Sequence, residues 1–383
     1  MIRAKITKVM NSDATEVKSI LAFGLYFMSC LYGLAMRARA LGYKTGRLKT
    51  KRLPCKVISI GNITVGGVGK TPMTIFLAEM LHRIGFKPVV LSRGYKGRAE
   101  KYGGIVSDGR QINMHPEDAG DEPWMMATRL KRFGVPVVVG RDRFNSGMLA
   151  IESFQPDVIL LDDAYQHLKL WRDLNLVLLD STHPFGNSFL LPRGILREPE
   201  AALSRGDIFV FTRTEKGQQA SIDKVKNVIG RKPIYNAFHQ PFLAKWFAAQ
   251  ATMRQSPIEL DINIDISILR GRKVFGFSGM AVNDNFRMTL ESLDCELAGF
   301  VGFADHYSYT NEDITFLLQS ASRAGADTLC TTEKDYVRLA QYMPLSANLA
   351  VIGVDISLGN NQAAFKKDIV RCLNNPDSLS IGG

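Results

Sequence analysis

The stretch "TVGGVGKTP", Thr64 to Pro72, lies just beyond the apolar run Val57-Ile58-Ser59-Ile60. It approximates G-x-x-x-x-G-K-[ST], the loop whose backbone N–H groups wrap nucleotide phosphates above a helix N-terminus. Thr64 stands where that pattern has its first glycine. The remainder suits the physical task. Gly66, Gly67 and Gly69 let the backbone curl with no side chain in the way. Lys70 is placed to reach the β- and γ-phosphates, and the Thr71 hydroxyl to sit on Mg²⁺. Upstream, Lys56 to Ile60 reads as a buried strand. Downstream, "TPMTIFLAEMLHRI", Thr71 to Ile84, puts apolar residues at helical spacing, with Pro72 near the start where proline is tolerated. Strand, loop and helix in this order predict an ATP-phosphate site made by Thr64, Val65, Gly66, Gly67, Val68, Gly69, Lys70 and Thr71.

The same alternation continues outward. Pro88–Leu91, Val135–Val139, Val158–Leu161, Leu174–Leu179 and Ile208–Phe211 read as short strands between helical stretches. This is the mark of a parallel sheet with helices on both faces. From about Lys216 to Arg272 the pattern weakens, and "RQSPIELDINIDISILRGR" alternates in period two like an extended linker or hairpin. A second α/β pattern follows: a strand at Lys273–Phe277, a helix around Thr310–Ala324, and strands at Thr328–Thr331 and Leu349–Val354. The expected fold is therefore α/β, a P-loop NTPase-like parallel sheet at 53–260 with a smaller C-terminal α/β subdomain at 261–383.

Residues 1–52 differ in character. The chain carries a net charge of +11, yet no acidic residue occurs between Glu16 and Glu79. Arg37, Arg39, Lys44, Arg47, Lys49, Lys51 and Arg52 fall in that gap, a block that attracts a polyanion. Before it, "SILAFGLYFMSCLYGLAM", Ser19 to Met36, is uncharged. Such a segment, as a helix, is about 27 Å long, just enough to cross a hydrocarbon core. A signal peptide would have a shorter apolar region and small neutral residues at its cleavage site, where Arg39 stands. The expectation is a membrane-associated helix, spanning or interfacial, with its basic flank on an anionic membrane surface and the rest of the chain cytoplasmic. A nucleic-acid partner is not expected, because the basic block lacks interleaved aromatics for stacking on bases. The five cysteines have no metal-ligand spacing and fit free thiols in a reducing compartment.

Chemistry-bearing residues collect at predicted strand ends. "VILLDDAYQH", Val158 to His167, ends a strand in Asp162 and Asp163, where a P-loop enzyme keeps the carboxylate that holds Mg²⁺. "GDEPWMMA", Gly120 to Ala127, opens with Asp121 and Glu122, which also suit a helix N-terminus. "GRDRF" puts Arg141 and Arg143 at the sheet's carboxyl edge, where ligands bind in such folds. "LPRGILREP", Leu191 to Pro199, adds Arg197 and Glu198 on a proline-bounded loop. "FADHYSYT" contains Asp305 and His306. "TTEKD", Thr331 to Asp335, does not meet N/T-K-x-D, the guanine-reading pattern, which leaves ATP as the nucleotide.

In combination, "GNITVGGVGKTP", "SRGYKG", "GDEP", "DDAYQH", "LPRGILREP" and "ADHYSY" resemble, in that order, the tetraacyldisaccharide 4′-kinase (lipid A 4′-kinase) family of Gram-negative bacteria. The family's loop similarly lacks the first glycine. The resemblance implies ATP-dependent phosphorylation of the 4′-hydroxyl of a tetraacylated glucosamine disaccharide 1-phosphate in lipid A biosynthesis. It implies a location on the cytoplasmic face of the inner membrane. It implies that Asp121 and His306 act together to activate the sugar hydroxyl, and that Asp162, Asp163 and Glu198 serve Mg²⁺ and phosphates. Arg93 of "SRGYKG" joins Arg141, Arg143 and Arg197 as a candidate substrate or phosphate contact. Two positions depart from the family pattern: Ile195 stands where proline is usual, and Tyr307 where a second histidine is common. The competing reading of the residues is a membrane-tethered P-loop ATPase that works as a conformational switch and ignores lipid.

Overall fold

The computed structural model describes residue 10 and residues 20–214, 219–249 and 265–374. Its strands are β1 (Lys56–Gly61), β2 (Pro88–Ser92), β3 (Gly104–Ser107), β4 (Val137–Val139), β5 (Val158–Leu161) and β6 (Leu174–Asp180). They continue with β7 (Ile208–Thr212), β8 (Ile234–Phe247), β9 (Lys273–Ser278), β10 (Glu296–Gly302), β11 (Thr328–Thr332) and β12 (Asn348–Ser357). All belong to one sheet in the order β10-β9-β11-β12-β8-β7-β6-β1-β5-β2-β4-β3. Neighbours run parallel except for β3 with β4 and β8 with β12.

Alternation along β1 explains the layering. Ile58 and Ile60 pack on one face with Met73, Leu77 and Leu81 of helix α2 (Lys70–Arg83). Val57 points the other way, among Ile159, Leu161 and Ala150 of helix α4 (Arg143–Phe154). Helix α3 (Asp121–Leu130) covers the first face beside α2. Each of the fully buried Met73, Leu77 and Leu81 side chains stabilises the fold by roughly 1.5–3 kcal/mol. The strand and helix positions expected around the P-loop are met within a residue or two.

The weak pattern after Lys216 hides β8, which joins the two halves of the sheet. It runs parallel to β7 from Ile234 to Ala237 and antiparallel to β12 from Phe238 to Phe247. A strand that changes partner midway, with Pro241 inside it, has no single buried face, so period two is lost. The expected linker or hairpin at 254–272 falls largely outside the described residues, as does the expected boundary near 260. Its described end is a short 3₁₀ turn, Ile266–Leu269. β9 to β12 carry their own two-sided core, with helix α5 (Asn311–Arg323) on one side.

Helix α1 (Ile20–Lys44) extends well past the uncharged segment, so Arg37, Arg39 and Lys44 are helical. Ala22, Leu25, Ser29 and Gly33 form a buried stripe, while Ile20, Phe23, Phe27, Leu31 and Leu34 form an exposed apolar one. The buried stripe lies on the loop that precedes Arg197. Ser29 Oγ donates to the Leu190 carbonyl at 2.9 Å and Tyr32 Oη to the Arg197 carbonyl at 2.7 Å. Tyr26 meets Phe189 edge-on at 5.8 Å.

Candidate active site

β1 pairs with β5 so that Ser59 lies opposite Leu161, and the chains leaving both strands emerge side by side. This register brings the glycine loop next to Asp162 and Asp163. Residues 63–65 are tied to the loop at 195–197: Val65 N–H donates to the Ile195 carbonyl at 2.8 Å and Arg197 N–H to the Ile63 carbonyl at 2.7 Å. Thr64 is buried and bridges Leu196, and its Oγ1 accepts from Asn62 Nδ2 at 3.0 Å. The tight turn begins only at Gly66 (φ 115°) and ends at Gly69 (φ 83°), which caps α2. A glycine at Thr64 is therefore unnecessary. Ile195 contributes its carbonyl, a group that proline also has, so this departure leaves the pairing intact.

Lys70 Nζ is 3.3 Å from Asn62 Oδ1 and 3.6 Å from Asp163 Oδ1. Asp163 in turn receives Arg197 Nη1 at 2.9 and 3.1 Å. Burial opposes the charge on Asp163, but Lys70 and Arg197 outweigh it and lower the pKa. Asp162 is the reverse case. Burial first, then the charges of Glu122 and Asp163, push its carboxyl up to about 7, although Thr74 Oγ1 donates to it at 3.0 Å. Glu198 is buried and receives Arg205 Nη2 at 2.7 Å and Gln166 Nε2 at 3.3 Å. Among the described residues no three His, Cys, Asp or Glu side chains cluster closely enough to hold a metal ion by themselves.

Asp121 opens α3, and His306 lies on the loop between β10 and α5, in the left-handed region at φ 58°. The fold brings them together: His306 Nδ1 is 3.0 Å from Asp121 Oδ2. They line a cleft of about 600 Å³ with Tyr95, His115, Trp124 and Arg338. Burial would raise the Asp121 pKa, but hydrogen bonds from His306 and Arg338 hold it down to about 2. The charge of Glu122, the neighbour of Asp121 in sequence, contributes to the raised pKa of Asp162.

The family model for tetraacyldisaccharide-1-P 4′-kinase matches residues 21–374. The chain belongs to the tetraacyldisaccharide 4′-kinase family. The tetraacyldisaccharide 4′-kinase of Desulfatibacillum aliphaticivorans is 39% identical over 371 residues, 97% of each chain. That of Syntrophus aciditrophicus is 39% identical over 351 residues, covering 88% of this chain and 90% of its own. A crystal structure of LpxK from Aquifex aeolicus in complex with ATP superposes with a TM-score of 0.70 at 33% identity. It covers 92% of this chain and 100% of that one. The chain is thus a kinase of a P-loop α/β fold, and the six motifs of the 4′-kinase resemblance all lie within the matched region.

The remaining arginines of this 4′-kinase separate by environment. Arg93 is exposed and pairs with Glu100 at 2.7 Å, and Arg141 is exposed beside it. Arg143, by contrast, is buried: it donates to the Gly140 carbonyl, its Nε has no partner, and burial lowers its pKa to about 10. Sequence reasoning passed over Asn62, Thr74, Gln166, Arg205, Lys334 and Arg338. Asn62 and Thr74 carried a local signal, a polar residue inside an apolar strand end or helix face. Lys334 and Arg338 carried none, because charged residues on a short helix ordinarily face solvent.

Proposed function

We propose that this site transfers the γ-phosphoryl group of ATP to the 4′-hydroxyl of a tetraacylated glucosamine disaccharide 1-phosphate. The observation that carries the reading is the Asp121–His306 contact, made by residues distant in sequence that line one cleft. The loop N–H groups of 66–71 and the Lys70 ammonium hold the phosphates, and Arg197 adds a second cation. The acceptor occupies the cleft, where Tyr95 and Trp124 offer aromatic faces to a sugar and the dyad takes the hydroxyl proton as the bond to phosphorus forms.

Mg²⁺ suits the donor set. Thr71 and Asp162 would offer it hard oxygen donors, and the high pKa of Asp162 marks a buried carboxyl short of positive charge. Mg²⁺ takes few protein ligands and leaves the rest to phosphate and water, which agrees with the absence of a larger cluster among the described residues. When bound, it would neutralise charge on the phosphate oxygens. Asp163 and Glu198, each already paired with arginine, would orient Arg197, Lys70 and Arg205 around it.

The enzyme is proposed to work at the cytoplasmic face of an anionic membrane, with α1 lying in the interface rather than crossing it. Contacts of the buried stripe to Leu190 and Arg197 tie α1 lengthwise to the catalytic core, and the opposite stripe stays free for lipid. Replacing Phe23, Phe27 and Leu34 by serine should weaken binding to anionic vesicles by about 10³-fold or more, each side chain contributing roughly 1.5–3 kcal/mol. The basic flank should retain a residual attraction that high salt removes. Vesicle sedimentation measures both. Undiminished binding of the triple variant at high salt would place the apolar contact elsewhere.

The activity itself is tested with γ-labelled ATP and the detergent-dispersed lipid acceptor. Label should appear on the 4′-oxygen, with little phosphate released when lipid is absent. Steady ATP hydrolysis indifferent to lipid would instead identify a conformational switch.

A further inference from the structure

The motif "TTEKD" has no part in the mechanism above, yet the fold aims it at the dyad. Thr332 caps helix α6 (Glu333–Leu339), accepting from Asp335 N–H at 3.1 Å and donating to Asp335 Oδ2 at 2.7 Å. The Asp335 carboxylate is fully buried. It also accepts from Gly279 N–H at 3.0 Å and Tyr309 Oη at 3.0 Å. Gly279 in turn accepts from His306 N–H at 3.3 Å. One buried carboxylate therefore fixes α6 against the loop that carries His306.

Lys334 and Arg338, four residues apart, project from one face of α6. Arg338 spans both members of the dyad. Its Nε and Nη2 donate to Asp121 Oδ2 at 2.9 and 2.6 Å, and its Nη1 to the Tyr307 carbonyl at 3.0 Å. His306 Nδ1 approaches the same carboxylate oxygen. Oδ2 is thus saturated. Two donors of one rigid guanidinium on the same oxygen, with Nη1 anchored on Tyr307, fix where that oxygen sits as well as its charge, which a single ammonium does less well.

We propose that Arg338 is a positioning residue of the base: it orients the Asp121 carboxylate, keeps it ionised, and locks it to the His306 loop. The proposal rests on the reading of Asp121 and His306 as the base. The low pKa of Asp121 agrees with it. Other charges face the pair as well. Glu122 lies on the same helix as Asp121, and Asp305 is beside His306. Lys334 sits 3.4 Å from His306 Nε2, 3.3 Å from Glu122 and 3.6 Å from Asp305. Asp335 is 3.6 Å from Arg338 Nη1, and Tyr95 and Lys96 line the cleft. Among these, Arg338 has the shortest contact with Asp121, so its loss dominates the change in charge at that carboxylate.

The sign follows from that charge. Without its cationic partner a carboxylate pKa rises, typically by 1–3 units. Arg338→Gln should lower kcat about 10²-fold with little change in the KM for ATP, and should move the acid limb of the kcat–pH profile upward by about one unit or more. Arg338→Lys should restore the limb but only part of kcat, because the charge returns and the fork does not. In an Asp121→Asn background, Arg338→Gln should cost little further. The proposal is overturned by an unmoved acid limb, or by an equal loss in the Asp121→Asn background, which is what a purely structural arginine would give. If Asp121→Asn alone retains full turnover, the underlying assignment of the base has failed instead. The background comparison stays informative even if Arg338→Gln lowers stability.

Discussion

Lys70→Ala is expected to lower kcat by about 10³-fold or more and to leave the folded protein intact. The loss is large because phosphoryl transfer offers the protein little to do besides positioning and neutralising charge. The fold survives because no buried charge is orphaned. Asp163 keeps Arg197 at 2.9 Å, and Asn62 keeps its contact with Thr64 at 3.0 Å. The α2 side chains that pack the core, Met73, Leu77 and Leu81, are untouched. Steady-state kinetics beside a thermal melt separate activity from stability. Near-normal turnover in a well-folded Lys70→Ala protein would remove the loop from the mechanism.

Asp121→Asn and His306→Ala should each reduce kcat by roughly 10²–10⁴-fold with little change in ATP affinity. A sugar hydroxyl is a poor nucleophile at neutral pH, and a carboxylate with a pKa near 2 is too weak a base to act without a partner. Their 3.0 Å contact makes one unit of the two. The double substitution should therefore cost about as much as the worse single one. Asparagine is preferred at 121 because alanine would leave Arg338, only 11% exposed, facing an empty site. A double-mutant cycle on kcat decides the matter. Losses that multiply would mean the residues act independently, and two harmless single changes would end the assignment.

The P-loop, the strands of the first half and the acid-tipped β5 were legible because each is specified locally. Glycine freedom, helical spacing and a run such as Val158–Leu161 depend on neighbours within a few residues. The resemblance added the pairing of Asp121 with His306, which no periodicity encodes. The harder elements were those whose surroundings change along their length. β8 exchanges a parallel partner for an antiparallel one, and α1 is apolar on two faces for two different reasons: one stripe packs on Leu190, the other is exposed.

Sequence by itself determined which side chains this kinase has available and where the phosphate loop turns. Only tertiary structure decided what those side chains meet. Thr64 needs no glycine because Ile195 and Leu196 tie its segment to a loop far along the chain. Arg143 is buried where its position at a sheet edge promised exposure, and Arg338, unremarkable on a short helix, grips Asp121. Local preferences act over a few residues, whereas burial and charge pairing depend on distances that exist only once the sheet has assembled.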